Sequence, residues 1–188
     1  MSIKRFFDIL CSFFLFLFLW PFFLVIFVLI FSTSKGPVIY WSKRVGKYNE
    51  IFNMPKFRTM YLDTPELASH LLKNPQKFLT PVGVWLRNFS LDELPQIWSI
   101  FIGNMSFVGP RPALYNQYDL IDLRTKFFID QLTPGLTGWA QINGRDHLSI
   151  KKKVEFDIEY YKRRSLYFDC KILMLTILKV IFSVGIKH

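Results

Sequence analysis

The sequence predicts a mostly α-helical domain with minor β content (α+β), joined to a proline-broken membrane helix. Three observations carry this prediction. Residues Ile9 to Phe31 form an uncharged apolar run, interrupted by Ser12 and Pro21. The rest alternates helix-periodic segments with two short β-prone runs, punctuated by Gly and Pro. The composition, 51% hydrophobic and 18% aromatic over 188 residues, exceeds what one small core hides, so part of the apolar surface is expected to face lipid. The length suits one unit, which we divide into residues 1–34, the membrane helix with its flanks, and residues 35–188, a compact domain.

The formal charge of +10, from 24 Lys and Arg against 14 Asp and Glu, points to polyanionic partners: phosphates, anionic lipid headgroups or nucleic acid. No nucleic-acid recognition module matches, and a basic chain with an apolar helix more naturally meets membrane lipids than nucleic acid. Two cysteines, Cys11 and Cys170, give neither a disulfide framework nor zinc spacing. Disorder, collagen and coiled coil are excluded by the aromatic content and the absence of repeats.

Read in order, the Ile9 to Phe31 run is about 34 Å long as a helix, enough to cross a bilayer. A signal peptide is set aside, because the core is long and Ser32-Thr33-Ser34 is a poor cleavage site. A spanning anchor and a re-entrant helix both stay open. Pro21 opposes a straight helix, and basic residues flank both sides: Lys4 and Arg5 before, Lys35, Lys43, Arg44 and Lys47 after. If both flanks prefer the cytoplasm, the helix bends at Pro21 and returns. Val38 to Trp41 and Ile51 to Met54 read as a hairpin around Gly46 to Asn49. Asp63 to Lys77 reads as a polar loop or short helix. Ser90-Leu91-Asp92-Glu93 has the form of a capping box at a helix start, with Pro95 bending the first turn. Ala113 to Gln131 reads as an amphipathic helix stopped by Pro134-Gly135, and Ile150 to Arg164 as another helical segment, with charged and aromatic residues mixed. The last apolar stretch, about residues 170–186, carries Lys171, Lys179 and Lys187; it suits either an interfacial helix with snorkelling lysines or a buried core helix.

The acidic pair Asp92-Glu93 is where chemistry is expected. Its plain reading is helix capping. Its sharper reading is a carboxylate held ionised by first-turn N–H groups, able to attack phosphorus or hold a divalent metal. Phosphate ligands are available in Lys56 and Arg58, Arg87, Arg111 and Arg145, several of them in Gly/Pro-rich loops that favour rigid bidentate recognition. The three histidines lack metal spacing, and no G-x-S-x-G, G-x-x-x-x-G-K-[ST] or G-x-G-x-x-G occurs.

An ordered set of motifs runs along the whole chain: Lys4-Arg5-x-x-Asp8-Ile9, the Pro21-broken helix, Lys43-Arg44-x-Gly46, Lys56 to Met60, Ser90 to Gln96, Asn104 to Pro112, Pro134 to Arg145 and Asp157 to Tyr161. Together they resemble the monotopic phosphoglycosyl transferases, the bacterial sugar transferase family that begins surface glycan assembly. The large multi-span region of some relatives is missing, as in a minimal catalytic form. One departure is Trp20 before Pro21, where relatives often carry Ser. The resemblance implies transfer of a sugar 1-phosphate from a UDP-sugar donor to a polyprenol phosphate acceptor such as undecaprenyl phosphate, with release of UMP. The setting implied is the cytoplasmic face of the bacterial inner membrane. It further implies attack by Asp92 on the β-phosphorus, a Mg2+ ion with Asp92 as ligand, Glu93 aiding metal or proton handling, and Lys56, Arg58, Arg87, Arg111 and Arg145 as phosphate or nucleotide ligands. The resemblance leaves the sugar and the oligomeric state open. Against it stand two alternatives: a membrane-anchored scaffold that binds anionic lipid, and a polyprenyl lipid phosphatase.

Overall fold

Helix α1 runs from Ile3 to Thr33 and sets the frame on which everything else is arranged. The structure is a computed structural model, and it describes residues 2–64, 74–144 and 147–181. Ser2 caps the start of α1 by accepting from the Arg5 N–H, and the helix continues through Pro21 without interruption. Its most buried residues are Asp8, Ser12, Ile26 and Ile30. Asp8 to Ile26, and Ser12 to Ile30, are five full helical turns apart, so the four form one narrow stripe. The stripe docks on the rest of the protein along the whole helix, while Phe13, Phe18, Trp20, Phe22 and Phe31, among others, stay exposed.

Both ends of α1 are tied down. At the start, Lys4 Nζ donates to the Val108 carbonyl and to Asp169, and the Arg5 guanidinium donates to the Ile100 and Phe101 carbonyls. Asp8 accepts from the Ser106 hydroxyl and the Phe107 N–H. At the far end, Ile26 and Ile30 join Val38, Phe57 and Leu86 in a core cluster.

The expected hairpin is present and longer than its sequence signal: β1 (Ile39–Val45) pairs antiparallel with β2 (Ile51–Phe57), Trp41 opposite Pro55. A 3-10 turn over Lys47–Asn49 joins them. Strand alternation sends Met54 and Lys56 to one face of β2 and Phe57 to the other. Phe57 meets α1, whereas Met54 packs on Ile100 and Met105. Of the expected polar segment, residues 65–73 lie outside the described residues, and Pro75–Phe78 form one 3-10 turn.

Helices α2 (Pro81–Asn88) and α3 (Gln96–Ile102) follow. Gly83 of α2 lies so close to the Thr59 carbonyl that a Cβ there would sit 2.1 Å from it, so no larger residue fits. Two short parallel strands, β3 (Ser106–Val108) and β4 (Gly135–Thr137), form a second sheet. The helix expected over Ala113 to Gln131 is shorter, α4 covering Tyr118–Lys126. It stops before Pro134 is reached because Phe128 turns into the left-handed region, and the stretch from Ala113 instead pairs with the hairpin through Val45 N–H to the Ala113 carbonyl. After a single turn, α5 (Trp139–Ile142), come α6 (Ile150–Arg163) and α7 (Leu166–Ile181).

Helix α7 combines the two readings of the last apolar stretch. Phe168 and Ile172 enter a core cluster with Val108, Ile142 and Tyr160, while Met174, Ile177, Leu178 and Val180 are exposed. Lys179 does not snorkel outward: its ammonium donates to the Ile142 carbonyl. Residues 182–188, with Lys187, lie outside the described residues.

Candidate functional site

The site is built on the turn between α2 and α3. Ser90 adopts a left-handed backbone (φ 55°), and Leu91–Glu93 make one 3-10 turn before Pro95 opens α3. The capping box expected there does not form. A capping serine needs an extended backbone so that its hydroxyl meets the N–H groups ahead, but Ser90 is spent reversing the chain after α2, its N–H bonding to the Arg87 carbonyl. Such a conformation costs a non-glycine residue about 1 kcal/mol. It turns two adjacent carboxylates inward.

Glu93 Oε1 accepts from Lys56 Nζ at 2.8 Å and from Arg111 Nη2 at 3.0 Å. Lys56 arrives from β2 and Arg111 from the Gly109 to Pro112 loop after β3, so two separate elements converge on one carboxylate oxygen carried by a third. Asp92, beside it, is 7% exposed. Burial pushes its carboxyl above the usual aspartate range; the neighbouring Glu93 charge adds to that, while Lys56, Arg87 and Arg111 oppose it. Burial likewise pushes the Lys56 ammonium below its usual range, against the pull of Glu93. Arg87 is held at the edge of the cluster, its Nε donating to the Thr59 hydroxyl at 2.9 Å.

The expectation that N–H groups hold Asp92 ionised is replaced by a different arrangement. No hydrogen bond reaches its carboxylate from the described residues, and the forces favouring its charge are the surrounding cations. That leaves a hard oxygen donor uncommitted. Among the described residues there is no cluster of three or more His, Cys, Asp or Glu fit to enclose a metal. The donor set of Asp92 and Glu93 nevertheless fits Mg2+, which commonly takes one or two carboxylates and completes its shell with water and substrate phosphates.

Glu93 and Arg111 also line a chamber of about 400 Å³. Its other walls are mostly apolar, with Leu15 and Leu19 from α1 and Leu173, Ile177 and Val180 from α7. A charged end and a hydrocarbon-like end therefore share one space.

The structure brings Lys56, Arg87, Asp92, Glu93 and Arg111 together. Arg58 it does not: that guanidinium donates to the Lys35 carbonyl at 2.6 Å and to the Ser34 carbonyl and hydroxyl at 2.9 and 2.7 Å. Arg58 is a cation at the C-terminus of α1, where carbonyls lack helical donors. Arg145 lies outside the described residues. Sequence reasoning missed Arg124, which donates to Asp157 and to the Arg111 carbonyl; its arginine had no Gly/Pro loop to mark it.

Residues 1–183 match the family model described as bacterial sugar transferase. The chain is 38% identical to an undecaprenyl-phosphate glucose phosphotransferase of Komagataeibacter xylinus, over 96% of this chain and 36% of that protein. It is 38% identical to the uncharacterized sugar transferase EpsL of Bacillus subtilis, over 100% of this chain and 92% of the relative. It is 37% identical to the UDP-glucose:undecaprenyl-phosphate glucose-1-phosphate transferase of Escherichia coli, over 94% of this chain and 40% of the relative. The chain thus spans little more than a third of the two relatives whose names state a reaction. With the ordered motifs, the inward-turned carboxylates and a family match over nearly its full length, the chain belongs to the bacterial sugar transferase family.

Proposed function

We propose that the protein transfers a sugar 1-phosphate from a UDP-sugar to a membrane polyprenol phosphate, undecaprenyl phosphate in the first instance, releasing UMP. The observation that carries this is the pairing of two environments in one chamber. Glu93 and Arg111 form its polar end, with Lys56 bonded to Glu93 behind them, and α1 and α7 supply its apolar walls. A diphosphate needs the first and an isoprenoid chain the second. The names of the Komagataeibacter xylinus and Escherichia coli relatives state undecaprenyl-phosphate sugar transfer, which agrees.

Asp92 is the nucleophile of this proposal. Its carboxylate oxygen attacks the β-phosphorus, the bond from that phosphorus to the bridging oxygen breaks, and UMP leaves with the electron pair. The acceptor's phosphate oxygen then attacks the same phosphorus and the Asp92 carboxylate is released. Lys56 and Arg111, now paired with Glu93, are placed to exchange that carboxylate for phosphate oxygens, and Arg87 adds charge beside them. Glu93 keeps the two cations in place between substrates. Asp92, with Glu93 beside it, would hold Mg2+, which when bound offsets the negative charge of the diphosphate.

The setting proposed is the cytoplasmic face of the inner membrane, with both ends of α1 on that side of the bilayer although the expected break at Pro21 does not interrupt the helix. Its support is that the same domain grips α1 at Lys4 and again at Ile30, 26 residues and roughly 39 Å apart along a straight helix. A hydrocarbon core is about 30 Å thick, so a perpendicular spanning helix carries its ends to opposite sides. A basic, water-facing domain cannot follow both.

The test is a UMP-release assay with purified protein, undecaprenyl phosphate and a panel of UDP-sugars. Release that depends on both donor and acceptor is expected. Inorganic phosphate in its place would establish a lipid phosphatase, and lipid binding with neither product would establish a scaffold.

A further inference from the structure

Arg111 sits in a loop, Gly109-Pro110-Arg111-Pro112, that is unusually constrained. Four successive carbonyls in it are each given a donor. The Pro110 carbonyl accepts from Gly135 N–H at 2.9 Å, the Arg111 carbonyl from Arg124 Nη1 at 2.7 Å, the Pro112 carbonyl from Arg44 Nη1 at 3.2 Å, and the Ala113 carbonyl from Val45 N–H at 2.9 Å. Two of these are main-chain bonds between neighbouring strands or segments. The other two come from arginine side chains, which the fold does not need for its backbone ladders.

Arg124 is the more deliberate of the pair. Its Nε and Nη2 both donate to Asp157 Oδ2, at 2.9 and 2.7 Å, which fixes the plane of the guanidinium and aims the remaining Nη1 at the Arg111 carbonyl. The side chains of Arg124 and Asp157 are 11% and 2% exposed. A buried ion pair is a poor device for stability, since an apolar pair of the same volume commonly does as well or better. Its value must lie in orientation. The prolines on either side supply the rest of the argument: Pro110 and Pro112 have fixed φ, and Pro112 restricts Arg111 to extended backbone. Those restrictions already narrow the peptide plane after Arg111, and Arg124 holds its carbonyl within that narrowed range.

We infer that Arg124 and Asp157 are positioning residues for Arg111, locking the loop so that its guanidinium meets the site of phosphate transfer. This rests on the reading of Arg111 as a ligand of the donor diphosphate. It also gives a role to the Asp157 to Tyr161 motif. Asp157 serves the loop through Arg124, and one turn on, Tyr160 donates to Asp169 at 2.7 Å, the carboxylate that also holds Lys4 against the Val108 carbonyl, so α6 supports the segment from Val108 to Arg111 at both ends.

The experiment compares UMP release by wild type, Arg124→Met/Asp157→Leu, Arg124→Lys, Arg111→Ala, and the triple variant that combines Arg111→Ala with the apolar pair. The apolar pair replaces the buried charges without leaving either alone, so thermal stability within a few degrees of wild type is expected. Its kcat should nonetheless fall about 10- to 100-fold, the scale of a misplacement near 1 Å. In the Arg111→Ala background the same pair should cost less than about twofold, because the residue it positions is gone. Arg124→Lys keeps the buried charge and loses the fork, so it should lose about tenfold even if the apolar pair does not fold. Wild-type rates in a folded apolar pair or in Arg124→Lys, or a full multiplicative loss on top of Arg111→Ala, would overturn the inference. A wild type that releases no UMP under any donor would overturn the functional reading beneath it, and the two failures are told apart by that control.

Discussion

Arg58 and Arg111 were both candidate phosphate ligands in the sequence, and their separation in the fold gives a sharp test. Arg111 reaches Glu93 at 3.0 Å with its side chain 28% exposed, and Glu93 also accepts from Lys56 at 2.8 Å. Arg111→Ala should therefore cost under about 1 kcal/mol of stability. Its effect on turnover should be about 10²- to 10³-fold, the usual loss when one preorganised donor to a developing charge is deleted. Arg58 is the reverse. It is 5% exposed and makes three bonds of 2.6 to 2.9 Å to the end of α1. Hydrogen bonds to a charged group are worth about 1.5–3 kcal/mol each before non-additivity, and the Ser34 and Lys35 carbonyls would lose this donor. Arg58→Ala should lose about 3 kcal/mol in all, which for a chain of this size lowers Tm by roughly 6–12 °C. The assay is thermal unfolding followed through Trp fluorescence in lipid nanodiscs, alongside UMP release at a temperature where both variants are folded. A stable Arg58→Ala with turnover as poor as Arg111→Ala would refute the division of roles.

Asp92→Asn should lower turnover on the order of 10⁴-fold or more, and quenched wild type incubated with UDP-sugar should gain one phosphosugar mass that the variant lacks. On acidification, activity should fall at a pH above the ordinary aspartate range, because burial raises the Asp92 carboxyl and its neutral form cannot attack. Glu93→Gln, which removes a neighbouring negative charge, should move that acid limb to lower pH, and Lys56→Met, which removes an opposing positive one, to higher pH; limbs that stay in place in full pH profiles would exclude Asp92 as the titrating group. Single cysteines at Ser2 and Lys35, with Cys11 and Cys170 replaced, should both resist an impermeant thiol reagent outside intact cells and react once the membrane is opened. Labelling of one alone from outside would establish a spanning helix.

Much of this fold was legible because its signals are local. The hairpin announced itself by β-prone runs around Gly46 to Asn49, and α6, over Ile150–Arg163, by a helical run of mixed charged and aromatic residues. The acidic pair was legible because it stands among few carboxylates, yet its geometry was not. S-x-D-E is read as a cap from spacing, and only the reversal of the chain at Ser90, imposed by packing α2 against Thr59 and α1, makes it a 3-10 turn instead. The basic residues were harder, because a charge in sequence has no address. Lys56 belongs to the site through strand alternation, and Arg58, two residues on, belongs to the end of α1. Lys179 resembled a snorkelling lysine because the Ile142 carbonyl that receives it is 37 residues away.

The flanking positive charges of α1 carry the same lesson further. In sequence, Lys4 and Arg5 argue for the cytoplasm by their sign alone. In the fold they have partners: Lys4 is committed to Asp169 and the Val108 carbonyl, and Arg5 to the last carbonyls of α3. The orientation of α1 is therefore held by specific bonds as well as by a statistical preference. Arg5 has a further consequence. It grips the C-terminal end of α3, and the carboxylates sit directly before the N-terminal end of that seven-residue helix. Seven residues rise about 10 Å, and Trp98 and Phe101 of α3 pack against Phe16 of α1. The position of Asp92 and Glu93 relative to α1 is thus tied to one short helix bonded at its far end. For the proposed reaction between a donor from water and an acceptor anchored in the bilayer, that position decides whether the two phosphates meet. Shortening or unpinning α3 should separate them even with every catalytic side chain intact.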